Sequence, residues 1–131
     1  MREILFRGKT IGSGMWIEGD LRQYPSGAKS IKAAELIHTV EVVPSTIGQY
    51  TGLKDKNGKR IFEGDLVKPV LPPSISQPSF VWPIMPVVFS DGVFGLQDQR
   101  GGVTPFKSFA PRVTFEVMGN IHDNPELLKG E

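Results

Sequence analysis

A chain of 131 residues with 15 Lys and Arg against 14 Asp and Glu carries a formal charge of +1, which excludes a global electrostatic pull onto nucleic acid or anionic lipid. It contains no cysteine, so disulfides, thiolate metal sites and cysteine nucleophiles are excluded together and a reducing compartment is compatible. The length is that of one ordinary domain able to bury a core, and 15 Gly with 11 Pro point to many turns joining short strands.

The opening Met1-Arg2-Glu3-Ile4-Leu5-Phe6-Arg7 interleaves charge with apolar residues. That is not the unbroken stretch of a signal peptide, and no later run approaches the roughly 18 residues of a membrane helix. A soluble, cytosolic chain is expected. Ile4 and Phe6 alternate with Glu3, Leu5 and Arg7 at the period of a half-buried strand, which Gly8 and then Gly12-Ser13-Gly14 end. Met15 to Leu21 predicts a second strand, stopped by the turn Tyr24-Pro25-Ser26-Gly27. Between Ala33 and Pro44, the alternation of Leu36, His38, Val40 and Val42 predicts a third.

In Lys54-Asp55-Lys56-Asn57-Gly58-Lys59, the pair Asn57-Gly58 signals a tight hairpin, because both residues tolerate positive φ. Ile61 to Val67 then places the Gly64-Asp65 turn ahead of a strand, as at the opening of a small barrel. The prolines at 69, 72, 73, 78, 83 and 86 each lack the donor a central strand needs, so residues 69–86 are expected to form an extended loop. A second hairpin turns on Asp91-Gly92, and Arg100-Gly101-Gly102 makes another turn. Thr114 to Ile121 reads as the last strand. A short helical turn follows, with Asn124 as its cap, Pro125 at its first position and Glu126 complementing its dipole.

The chemistry-bearing residues are sparse. Only His38 and His122 are present, far apart in sequence, so no protein-built metal site is expected. Asp55-Lys56-Asn57-Gly58 fails as a calcium loop because Lys59 and Arg60 stand where a ligand and a glycine are needed. Gly12-Ser13-Gly14 lacks both the third glycine and the following helix of a phosphate loop. The carboxylate pairs Glu18/Asp20 and Glu63/Asp65 each straddle a glycine, and turn capping and solvation account for them. No nucleophile elbow accompanies either histidine. No catalytic residue, cofactor or metal is therefore assigned, and the chain is expected not to be an enzyme.

Two binding surfaces are candidates. Lys54, Lys56, Lys59 and Arg60 crowd one hairpin with Tyr50 and Phe62 near its ends, the combination of cation and stacking surface that nucleic acid uses. Hairpin-tip lysines also serve simply to keep an edge soluble, and Asp55 offsets part of this charge. Alternatively, the proline-rich loop presents Phe80, Trp82 and Met85 as anchors for a protein partner or a second copy of the chain. The second reading is favoured, because small β domains often close open edges by pairing subunits.

The run from Thr46-Ile47-Gly48-Gln49-Tyr50-Thr51-Gly52 through Asn57-Gly58-Lys59-Arg60-Ile61-Phe62-Glu63-Gly64-Asp65-Leu66-Val67 resembles the signature block of the YopX family of small phage and prophage proteins. Arg2 to Arg7, Trp16 to Asp20 and Phe115 to Leu128 agree with it in order. The resemblance thins at residues 22–35 and across the proline-rich loop. It implies a mainly β fold, with an N-terminal β subregion over residues 1–48 and an SH3-like small barrel over 49–131. It also implies a phage-derived protein in the cytoplasm of a bacterial host. It implies no reaction and no site residues. Together these readings predict a non-catalytic binding or assembly module, homo-oligomeric or bound to a host or phage protein and not to a membrane.

Overall fold

The computed structural model of the chain describes residues 3–72 and 81–128, in which extended segments punctuated by glycine turns form two antiparallel sheets. The chain divides into two units, Met1–Gly52 and Leu53–Glu131. The division falls inside a strand, after the expected boundary at residues 48 and 49. Among the described residues no helix is long and apolar enough to cross a membrane.

In the first unit, β1 (Phe6–Lys9) pairs with β2 (Trp16–Gln23), β2 with β3 (Lys29–Lys32) and β3 with β4 (Val40–Val42). On its other side β1 takes the start of β5 (Gly48–Lys54), with Phe6 opposite Gln49 and Arg7 opposite Gly48. The sheet curls until β4 returns to the end of β1. Thr10 bridges to Val42, the Val43 N–H donates to the Lys9 carbonyl at 2.8 Å, and the Ile11 N–H donates to the Glu41 carbonyl at 3.1 Å. This closure leaves β4 without an open edge. Ile31, Ala33 and Val42 are buried within the unit.

Closing so small a ring brings backbones together where side chains would not fit. A Cβ at Gly8 would stand 3.1 Å from the Cβ of Val42, and one at Gly19 would run into the backbone carbonyl of Lys32. Those glycines are packing requirements, whereas Gly14 and Gly27 serve turns at positive φ.

Two expectations for this unit are corrected. The strand expected from Leu36 is confined to Val40–Val42, and residues 33–39 turn, with the Leu36 N–H on the Ala33 carbonyl at 3.1 Å and Ile37 left 87% exposed. Pairing Ile31 with Val40 demands a connection there, and that demand overrides the local alternation. Conversely, β3 carries one large apolar residue in Lys29-Ser30-Ile31-Lys32 and shows little strand pattern. Pairing on both sides makes it a strand.

The second unit begins with Leu53 and Lys54 at the end of β5. They lead through a turn into β6 (Arg60–Phe62), then β7 (Asp65–Val70), β8 (Met85–Ser90), β9 (Val93–Gln97) and β10 (Val103–Pro105). A 3₁₀ turn at Phe106–Ser108 precedes β11 (Thr114–Asn120), and a last 3₁₀ turn covers Pro125–Leu128. The order β10-β9-β8-β7-β11 is a meander in which the final strand pairs with the first of the sheet. The β8–β9 hairpin turns as expected, with Asp91 at φ 52 and Gly92 at φ 81.

Ile61, Val67, Met85, Val87, Leu96 and Phe106 form the core of this unit, with Trp82, Phe94, Phe109, Phe115 and Val117 packed against it. Full burial of an aliphatic side chain such as Leu96 contributes roughly 1.5–3 kcal/mol. Edge-on aromatic contacts run from Trp82 to Phe109 (5.7 Å), from Phe109 to Phe115 (5.2 Å) and from Phe115 to Phe106 (5.0 Å).

The expected loop over residues 69–86 is shorter at both ends, because Pro69 lies inside β7 and Pro86 inside β8. Pro69 stands opposite Phe115, whose carbonyl turns away from β7 to accept the Lys56 N–H. The nitrogen of Pro69 therefore also faces away from β11, toward the side on which β8 has ended its pairing at Leu66 and Val67. No ladder bond is lost there, which is the condition under which a strand accepts proline. Asn124 differs too: its side-chain oxygen accepts the Asn120 N–H at 3.2 Å instead of capping the helical turn that follows.

Candidate functional site

Trp82, Pro83 and Ile84 lead into β8, and the approach to that strand forms one wall of a cleft of about 200 Å³. Pro83, Ile84, Met85 and Pro86 line this wall, and Gln97, Asp98 and Gln99 face them from the end of β9 and the turn after it. Leu128 closes the cleft from the C-terminal 3₁₀ turn. The Asp98 carboxylate holds its own turn, accepting the N–H groups of Arg100 and Gly102 at 2.9 Å each. The Asp98 N–H donates to the Gly102 carbonyl at 2.8 Å. The cleft thus has an apolar wall facing a polar, self-braced turn.

The proposed loop anchors separate on this geometry. Met85 is 7% exposed and belongs to the core, because β8 begins with it. Trp82 is half-buried against the same core and meets Phe109 edge-on. Phe80 lies outside the described residues. What the segment leaves outward is Val81, 62% exposed, with Ile84 half-buried at the cleft. Gln97, Gln99 and Leu128 were not singled out by sequence. Their only signal was the Arg100-Gly101-Gly102 turn, which marks the bend but not what it faces.

The basic hairpin is brought together as expected in one respect. Lys54, Lys56, Lys59 and Arg60 are all exposed on the β5–β6 turn. Tyr50 and Phe62, however, are buried to 6% and 2% exposure, so neither ring is offered to a base. The aromatic half of the nucleic-acid constellation is core. Lys56 also pairs with Glu116 at 3.7 Å, both partly exposed, a contact worth little in water.

Asp55 organises this turn. Its Oδ1 accepts the N–H groups of Asn57 (2.8 Å) and Lys59 (2.9 Å), and its Oδ2 accepts the N–H of Val117 at 3.1 Å on β11. With the Lys56 N–H donating to the Phe115 carbonyl at 2.8 Å, the turn occupies the outer edge of β11, where another chain could otherwise add a strand. Burial raises the Asp55 pKa more than any other single influence. The bonds from Val117, Lys59 and Asn57 and the charge of Lys59 together outweigh it, and the carboxyl is held below its ordinary value.

The remaining polar groups are dispersed or structural. His38 is exposed in the first unit and His122 half-buried in the second. Asp65, 1% exposed, accepts the Phe62 N–H at 2.8 Å across the Glu63-Gly64 turn, while Glu18 and Asp20 are exposed along β2. Among the described residues no three His, Cys, Asp or Glu side chains converge as metal ligands.

A family model described as YopX protein matches residues 5–129. The chain belongs to the YopX family. Its structure is similar to that of protein yopX from Bacillus subtilis, with TM-score 0.64 and 23% identity over 100% of this chain and 99% of that one. It is also similar to protein EF1440 from Enterococcus faecalis, with TM-score 0.61 and 24% identity over 98% and 99% of the two chains. At these identities the likeness establishes the YopX-type fold and nothing of activity. No curated protein matches the chain.

Proposed function

We propose that this YopX-family chain is a non-catalytic binding and assembly module whose contact surface is the cleft beside β8. The size of that cleft carries the reading: about 200 Å³ is below the roughly 300–1,000 Å³ of small-molecule pockets, yet suits one or two inserted side chains. A second copy of the chain can supply them, since Met15 (68%), Ile37 (87%) and Phe89 (55%) are exposed. The strand order β10-β9-β8-β7-β11, with a 3₁₀ turn ahead of the last strand, supports treating the second unit as an SH3-like module. That is an argument by fold analogy. The phage or prophage origin that the YopX resemblance implies supports the cytoplasm of a bacterial host as the place of action, with a host or phage protein as the other class of partner.

Light scattering tests the assembly claim. The wild-type chain is expected to weigh more than the 14.4 kDa of one copy, and Ile84→Glu, which puts a charge into the cleft, is expected to return it to that mass. A wild-type chain that stays monomeric at high concentration removes the claim.

A second reading rests on the exposure of all four cations of the 54–60 hairpin. Without stacking rings such binding reduces to phosphate contacts, which weaken steeply with salt. Measured affinity for mixed single- and double-stranded oligonucleotides that is absent, or indifferent to salt, ends that reading.

A further inference from the structure

Asn57-Gly58 is the one Asn-Gly pair in the sequence, and the hairpin both exposes it and restrains it. Asn57 and Gly58 are exposed, and a Cβ built at Gly58 meets nothing within 4 Å, so water reaches the pair freely. The Asn57 side-chain amide makes no hydrogen bond among the described residues, whereas its backbone N–H is held by the Asp55 carboxylate at 2.8 Å. The Gly58 N–H donates to the Asp55 carbonyl at 3.0 Å.

An Asn-Gly pair carries its own reaction. The backbone nitrogen of Gly58 can attack Cγ of Asn57, forming a new N–C bond and a five-membered imide, while the side-chain nitrogen departs as ammonia with the proton that Gly58 gives up. Water then opens the ring. Attack at the side-chain carbonyl yields aspartate, and attack at the backbone carbonyl yields isoaspartate, whose main chain is one carbon longer. Glycine favours the first step because it has no Cβ to obstruct the ring. Attack requires the nitrogen within roughly 3–3.5 Å of the carbon and in line with it. A Gly58 N–H committed to Asp55 has neither the proton freedom nor the backbone rotation to reach it.

We propose that Asn57-Gly58 is a spontaneous deamidation site of this protein, and that Asp55 is the latch that sets its rate. The latch has three catches. The Asp55 carbonyl holds the attacking nitrogen, and its Oδ1 holds the N–H groups of Asn57 and Lys59, so the turn must open before the ring can form. Conversion adds one negative charge among Lys54, Lys56, Lys59 and Arg60. The isoaspartyl product also lengthens a turn whose register is set by the Asp55 N–H on the Lys59 carbonyl at 2.7 Å. The consequence is loss of the edge cover on β11, because the same turn supplies the bonds to Phe115 and Val117.

The test is peptide mapping by mass spectrometry of protein aged in mildly alkaline buffer, with isoaspartate resolved by chromatography. Asp91-Gly92, the other turn prone to imide formation, changes no mass and does not interfere. Wild type is expected to convert slowly at residue 57 when folded and at least about tenfold faster in urea, since tenfold corresponds to only about 1.4 kcal/mol of turn opening. Asp55→Ala keeps the backbone carbonyl that holds the Gly58 N–H but loses both carboxylate bonds of the turn. Still folded by circular dichroism, it is expected to convert faster than folded wild type and slower than the urea-unfolded chain, and Asn57→Gln to show no conversion there. Equal rates for native and urea-unfolded wild type overturn the proposal, whether or not Asp55→Ala folds. So does a folded Asp55→Ala that ages no faster than wild type, or conversion confined to Asn120 or Asn124.

Discussion

Replacing Asp55 by alanine removes, in one substitution, the acceptor for three backbone donors, two in its own turn and one on β11, 62 residues along the chain. The two turn donors lie at the surface and recover water, so each loses only the net value of a bond to a charged acceptor. Val117 N–H lies against the sheet edge and costs more if left unmet. Summing one half-buried orphan at about 1–3 kcal/mol with two weakened turn bonds gives a loss of about 2–4 kcal/mol. A single domain with roughly 5–15 kcal/mol of stability survives that loss. The assay is urea unfolding followed by Trp82 fluorescence in a Trp16→Phe background, since Trp82 packs on the core of the affected unit. With a slope near 2 kcal/mol per molar urea, the midpoint falls by about 1–2 M. A fall of less than about 0.3 M refutes the reasoning, because it equates to less than one ordinary hydrogen bond.

The same carboxylate predicts an acid limb. Its folded pKa lies below its ordinary value of 3.8, so its contribution is complete above the unfolded value and is lost as pH falls through the lower, folded one. Stability measured from pH 6 downward should decline below the ordinary value more steeply in wild type than in Asp55→Ala. Gly19→Ala drives a methyl group into the Lys32 carbonyl and is expected to cost about 1–3 kcal/mol or more, measured by thermal unfolding; a neutral result would mean that β2 and β3 are further apart. Leu96→Ala, at a fully buried position, is expected to cost about 2–5 kcal/mol in the same assay. Changing Lys54, Lys56 and Lys59 together to Glu should leave folding intact, since all three are exposed, and should abolish any salt-dependent oligonucleotide binding measured by fluorescence anisotropy.

Where local chemistry alone decides conformation, the sequence was readable. Asn57-Gly58, Asp91-Gly92 and Gly64-Asp65 all lie at turns, and the strands flanking them follow. Reading failed where a distant partner decides. Lys29-Ser30-Ile31-Lys32 is a strand only because β2 and β4 lie on either side of it. Pro69 sits in a strand because β8 stops short of it. Leu36 and His38 lost their alternation to the connection that pairs Ile31 with Val40. The candidate surfaces divide in the same way. The four cations of the hairpin are adjacent in sequence and were visible. The burial of Tyr50 and Phe62 was not, nor was the meeting of Ile84 with Gln97 and Leu128 across the cleft, because both depend on how strands far apart in the chain are paired.

Hydrogen exchange compared between dilute and concentrated protein bears most directly on the claim that this YopX-family chain works by contact through the cleft beside β8. Concentration should slow exchange at Ile84, Gln97 and Gln99, and Ile84→Glu should abolish that slowing. Unchanged exchange at those amides, or protection that appears only elsewhere on the chain, would contradict the account.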